Sequence, residues 1–151
     1  MPKKYQCEVR LSVWKAREPQ SSSLTHSLDV VKEVGDFRFM AQEGFMVWTL
    51  NTKNQIIDKH IVSIGSINQC LVHPREVFRP AIMDGANCII LIHNHPSGSI
   101  KPGIDDIKLT ERLVSAGELL DIKVLDHVIV TSEEGLDFYS FETEGMLGKG
   151  D

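Results

Sequence analysis

The chain has 151 residues, of which 42% are apolar and 25% charged, with a formal net charge of −5. That length supports one globular domain with one core and no need of disulfide staples. The acidic balance excludes a basic nucleic-acid footprint across the whole chain, and no apolar run is long enough to span a bilayer.

The N-terminus, MPKKYQCEVRLSVW, alternates polar and apolar residues and lacks the continuous apolar stretch of a secretory signal, so the expected location is the cytoplasm. The basic residues Lys3, Lys4, Arg75, Arg79, Lys101 and Lys108 are scattered and read as solvated surface. Three cysteines, Cys7, Cys70 and Cys88, with no C-x-x-C spacing argue against a disulfide framework and a cysteine-rich metal site. Cys88 opens an apolar run and reads as a small buried hydrophobe.

In chain order, Tyr5 to Trp14 reads as a strand and Glu18 to Ser23 as a polar linker. Ser27 is placed to cap a short helix through Val34, with Gly35 ending it. Phe45 to Leu50 reads as a strand, Asn51 to Asn54 as a turn and Gln55 to Ile64 as the returning strand of a hairpin. Pro74 to Met83 suits a helix: proline stands in its first turn, Val77, Phe78, Ala81 and Ile82 lie on one face, and Gly85 follows. Cys88 to Ile92 is a short continuous apolar run and predicts a buried central strand covered on both faces. Asp105 to Leu120 predicts an amphipathic helix with Ile107, Leu109, Leu113, Val114 and Leu120 toward the core. Strands over Lys123 to Val130 and Leu136 to Phe141 follow. The expected fold class is α/β (α+β): a mixed β-sheet packed between helices in a single domain. The expected organisation is a strand, linker and short helix over 1–35, a main domain over 36–142 and a flexible tail over 143–151.

The one dense polar cluster is His93-Asn94-His95-Pro96-Ser97-Gly98, followed by Pro102-Gly103-Ile104-Asp105-Asp106. Residues two apart in a strand project to one face, so His93 and His95 present two imidazoles together. The Gly/Pro-rich loop must turn, and Asp106 begins the next helix, where the chain can fold back. Two imidazoles and a carboxylate make the three-ligand set of a catalytic zinc site with one position open to water. His₂Asp plus water also suits other divalent metals.

The spacing His-x-His, then Asp106, resembles the JAMM metalloprotease motif of JAB/MPN domains. LNTKNQII, LVHPREVF, IILIHNHPSG, PGIDDIKLT and LDHVIV resemble the RadC-like branch of that family, over roughly Glu43 to Val130. The resemblance implies an MPN/JAB-like fold, one Zn²⁺ per chain on His93, His95 and Asp106, and Glu43 as general base ahead of FMVWTL. Glu76 is a rival base, placed on a helix away from the metal. His127 in LDHVIV is a candidate to orient a ligand. The family carries serine after seven intervening residues beyond the second histidine, where its hydroxyl helps stabilise the oxyanion; this chain has Gly103 there. Ser97, Ser99 or a backbone N–H is the candidate replacement, and loss of one such donor typically costs about 10²–10³ in kcat. His26, His60 and His73 have no supporting context.

The consecutive letters His-Asn-His are not an HNH nuclease, whose residues are dispersed through a ββα motif. Zinc nucleobase deaminases need H-x-E and P-C-x-x-C, and neither is here. The leading expectation is a zinc-dependent JAMM-type hydrolase of peptide or isopeptide bonds, acting on a peptide or a ubiquitin-like protein. The alternative is a RadC-like accessory module of DNA repair or mobile-element metabolism that binds metal without peptidase activity. A DNA partner has weak support from the acidic balance, a membrane partner none, and the oligomeric state is not readable.

Overall fold

A computed structural model describes residues 23–65, 72–133 and 135–148. The expected strand over Tyr5 to Trp14, most of the linker, Cys7 and Cys70 lie outside them. The described residues form α1 (Ser27–Glu33), a 3-10 turn (Gly35–Phe39), β1 (Gly44–Leu50), β2 (Ile56–Ile64), α2 (Pro74–Met83), β3 (Cys88–His95), α3 (Ile104–Leu119), β4 (Lys123–Thr131) and β5 (Phe138–Ser140). The strands make one mixed sheet in the order β2-β1-β3-β4-β5, with β3 at its centre. β1 runs antiparallel to both β2 and β3, α3 links β3 to its parallel neighbour β4, and β5 returns antiparallel.

Alternation along the strands divides the core in two. Phe45, Val47, Ile89 and Leu91 face α2 and α3, packing with Val77, Phe78, Ala81 and Leu113. Met46, Trp48, Leu50, Cys88, Ile90 and Ile92 face α1, packing with Val30, Val31, Val34 and Phe37. β3 is buried along its whole length. That is why Cys88 to Ile92 is apolar without alternation: both faces are covered. Cys88 sits in this core as the small hydrophobe its context predicts.

β4 departs from simple alternation. Ile89 pairs with Val124 but Ile90 pairs with Asp126, so Leu125 is an extra residue in the ladder. Val124 packs on the α2/α3 side, whereas Val128 and Val130 pack on the α1 side. A one-residue insertion of this kind exchanges the faces of everything after it. His127 thereby comes to stand beside Leu91, on the same face as His93.

Several expectations are corrected. His26, not Ser27, is the N-cap of α1, and the Asp29 carboxylate accepts from the Thr25 and His26 amides at 3.0 Å. The Ser27 hydroxyl instead reaches Asp126. Ile82 and Leu120 are 57% and 44% exposed, so neither belongs to the core. The last strand pairs only over Phe138–Ser140, and the chain then turns, with the Met146 amide donating to Phe141 and Leu147 packed on the α2/α3 core.

Candidate metal centre

The alternation of β3 decides where its last residues point. His93 continues the series Ile89, Leu91 and faces α3, while Asn94 continues Cys88, Ile90, Ile92 and faces the other way. Antiparallel pairing sets the start of β1 beside the end of β3, with Phe45 opposite His93. Glu43, the residue before β1, therefore arrives at the histidines. One ligand atom each from Glu43, His93 and His95 lie within 4.8 Å of one another.

Asp106 comes from the third position of α3. The Gly103 amide donates to its Oδ2 at 2.7 Å, which fixes the carboxylate at the helix N-terminus. Its Oδ1 is 3.2 Å from His93 Nδ1 and its Oδ2 is 3.5 Å from His95 Nε2. His95 Nδ1 donates to the Ser99 carbonyl at 2.7 Å. In a neutral imidazole that leaves Nε2 as a lone pair facing the carboxylate. Both nitrogens of His93 are buried without a hydrogen-bond partner among the described residues. Nitrogens of two imidazoles converge on one carboxylate, and that donor set is the one a divalent transition metal takes. The residues present thus fit the ion that the spacing implies.

Charge balance at the centre points the same way. Burial works to raise the Asp106 carboxyl, but His93, His95 and the Gly103 N–H outweigh it and hold it well below the usual carboxylate range. Burial works to lower His95, but Asp106 and the Ser99 carbonyl outweigh it and raise its affinity for a proton. The centre is built to hold positive charge.

A second group of side chains, Asp58, His60 and Asp84, shares ligand-like spacing. Here His60 and Asp84 already partner each other. His60 Nε2 lies 2.6 Å from Asp84 Oδ2, which also accepts the Thr49 hydroxyl at 2.7 Å. This partly exposed cluster is a histidine–carboxylate contact with a hydroxyl brace, whereas neither nitrogen of His93 makes a well-aligned hydrogen bond among the described residues.

Two residues that the sequence reading passed over hold the centre together. Asn94 is fully buried; its Oδ1 accepts from the Gly44 amide at 2.5 Å, and its Nδ2 donates to Met40 at 3.2 Å and Gln42 at 3.0 Å. It clamps the segment that carries Glu43. A Cβ at Gly44 would stand 2.7 Å from the Phe37 ring and 3.2 Å from Asn94 Oδ1, so only glycine allows this approach. Thr110, also fully buried, lies 2.6 Å from both the Asp106 carbonyl and His127 Nδ1. The only hint of either in the sequence was a polar residue inside an apolar pattern.

His127 is buried, with its ring 6.2 Å from that of His93 and stacked on Phe141 at 4.7 Å. Burial holds its pKa down to about 3, so the ring is neutral. Ser97 is exposed in the turn after β3, and Gly98 there has φ +83° with the Glu133 carboxylate packed against its Cα. Ser99 reaches the centre through its carbonyl. Gly103 has φ −77°, and a Cβ there would meet Asp106 Oδ2 at an ordinary 3.5 Å. Glu76 lies in the first turn of α2, where its carboxylate accepts the His73 amide at 3.4 Å. A cleft of about 1240 Å³ opens between α1, the C-terminal end of α3 and β4, and none of Glu43, His93, His95 or Asp106 lines it. No helix among the described residues is long and apolar enough to cross a membrane.

Residues 23–146 match the family model described as "RadC-like JAB domain". A UPF0758 protein of Caldanaerobacter subterraneus subsp. tengcongensis is 46% identical over 129 residues, covering 82% of this chain and 55% of its own. A UPF0758 protein of Finegoldia magna is 56% identical over 94 residues, 62% of this chain and 42% of its own. One from Methanosarcina barkeri is 50% identical over 110 residues, 73% of this chain and 47% of its own. The chain spans about half the length of the curated relatives it matches. With a family match over most of its length and the mixed five-stranded sheet expected of such a domain, the chain belongs to the RadC-like JAB domain family.

Proposed function

We propose that this domain is a zinc-dependent hydrolase of the JAMM type that cleaves a peptide or isopeptide bond. One observation carries the reading: a buried histidine that makes no well-aligned hydrogen bond, beside a second histidine, with a nitrogen of each 3.2 Å and 3.5 Å from one carboxylate. His93, His95 and Asp106 hold the ion. A bound Zn²⁺ supplies Lewis acidity and brings the pKa of a water to about 7.

The protein groups then have defined tasks. The hydrogen bond from His95 Nδ1 to Ser99 keeps Nε2 directed inward. The Gly103 amide keeps Asp106 in one rotamer. Glu43, held by the Asn94 clamp, accepts one proton of the attacking water at a carboxylate oxygen and returns it to the leaving nitrogen. A C–O bond forms at the scissile carbonyl, the C–N bond breaks, and the products are a carboxylate and an amine. The oxyanion needs a donor that a serine at position 103 would otherwise supply; Ser97 or a backbone N–H of the 96–103 loop takes that part.

Zinc-loaded protein incubated with a panel of peptides and of isopeptide-linked ubiquitin-like conjugates should release amine product, and Glu43→Gln should abolish release while retaining zinc. Release that persists in Glu43→Gln refutes the assigned base.

Gly103 favours a second reading, a metal-binding RadC-like module without peptidase activity that serves DNA metabolism. It requires DNA binding that weakens steeply with salt. Cleavage by the zinc form with no DNA affinity at low salt eliminates it.

A further inference from the structure

We propose that Thr110 and His127 act as a positioning pair that holds Asp106 in register with His93 and His95. The proposal rests on the metal-centre reading and extends it to two residues that touch no metal themselves.

The hydrogens can be assigned by elimination. The Asp106 carbonyl can only accept, so the Thr110 hydroxyl proton is directed to it across 2.6 Å. Thr110 Oγ1 then has only lone pairs to offer His127 Nδ1, also at 2.6 Å. His127 must therefore carry its proton on Nδ1. The chain of donors runs in one direction: His127 Nδ1–H to Thr110 Oγ1, and Thr110 O–H to the Asp106 carbonyl. It connects β4 to the first turn of α3, the turn whose carboxylate faces both histidines.

The surroundings hold this arrangement rigid. The His127 ring is stacked on Phe141 at an interplanar angle of 7° and meets Phe45 edge-on with centroids 5.5 Å apart. Phe45 is in turn the β1 partner of His93. The position of Asp106 is thus referred to the same strands that carry the histidines. The Leu125 bulge supplies the other half of the device, because it turns His127 to the α3 side of the sheet.

Thr110 is not chosen for helix stability. A β-branched hydroxyl residue bonded back to the preceding turn is unfavourable inside a helix and tends to bend it. Valine would fill the same buried volume without that competition. What valine cannot do is accept from His127 and donate to Asp106.

The test is zinc affinity, measured by competition with a chromogenic chelator, for wild type, Thr110→Val and Thr110→Ser. Loss of a residue that orients a ligand costs about 10–100-fold in metal affinity. Thr110→Val should show that loss, with the apo protein folded by circular dichroism, and Thr110→Ser should recover it. Equal zinc affinity in wild type and Thr110→Val overturns the proposal while leaving the metal centre intact. Failure of wild type to bind zinc at all refutes the metal centre itself, and the proposal with it. Should Thr110→Val not fold, the tautomer of His127, read from long-range ¹H–¹⁵N correlations, decides in wild type. The proposal requires the Nδ1–H form in apo and zinc-loaded protein, with its resonances shifted by zinc. The Nε2–H form, or resonances blind to zinc, contradicts it.

Discussion

Replacing Asn94 with alanine tests how the segment before β1 is held. The side chain is fully buried and makes three hydrogen bonds, at 2.5 Å to the Gly44 amide, 3.2 Å to Met40 and 3.0 Å to Gln42. Alanine removes all three. The Gly44 amide is buried, and a buried donor left unmade costs about 1–3 kcal/mol. The two carbonyls are only partly buried, so water recovers part of their loss, and about 0.5–1 kcal/mol each is a fair share. With about 1 kcal/mol for the void left behind, the total is about 3–6 kcal/mol, a large fraction of the stability of a domain this size. Denaturant unfolding of Asn94→Ala against wild type, with m compared, measures it. A loss below about 1 kcal/mol at unchanged m would refute the clamp. Asn94→Asp sharpens the test. It keeps the acceptor for Gly44 but sets a carboxylate oxygen against two carbonyls, so the new carboxyl has a folded pKa above its unfolded value of about 3.9. Relative to wild type, the variant should therefore suffer least below about pH 4 and lose stability as pH rises through the raised value. A difference from wild type that is flat between pH 4 and pH 7 would contradict the assigned geometry.

Two further outcomes follow from the centre. Burial holds His127 at about 3 against a free value of 6.5, so between those limits the unfolded chain binds a proton there that the native protein does not. Stability from this group is full above pH 6.5 and is lost toward pH 3, at up to about 1.4 kcal/mol per pH unit and about 5 kcal/mol in all. His127→Gln should flatten the pH dependence of unfolding over that window; an unchanged slope refutes the buried neutral ring. Gly103→Ser should fold, because φ and the 3.5 Å spacing both admit a Cβ, and should shift stability by only a few tenths of a kcal/mol as an N-cap change. If the oxyanion lacks a side-chain donor in the native chain, the same variant should raise kcat by up to about 10²–10³; an unaltered kcat means that the 96–103 loop already supplies one.

What the sequence could and could not foretell divides along a physical line. Helix α2 has the expected bounds, Pro74 to Met83, because proline and glycine punctuate it locally. His93 and His95 share a face because strand alternation is local, and Asp106 lies in the first turn of a helix whose start the Pro-Gly pair announces. The assembly of Glu43, His93, His95 and Asp106 was thus readable from spacing together with family resemblance. Ile82 and Leu120 were misread as core because they lie near helix ends, where the apolar stripe runs past the surface it packs on. The Asn94 clamp, the Leu125 bulge and the Thr110–His127 link depend on register between segments up to 54 residues apart, which no local pattern encodes. Ser27 makes the same point. Its residue type suited a helix cap, but its hydroxyl bonds Asp126, 99 positions away.

The central claim is that His93, His95 and Asp106 hold one divalent ion, and metal content per chain tests it most directly. Elemental mass spectrometry of the purified protein, after zinc addition and dialysis, should find about one zinc per chain in wild type. His95→Ala should lose it, with circular dichroism checking that the variant remains folded. No retained metal in wild type, or one zinc per chain retained in His95→Ala, would contradict the account.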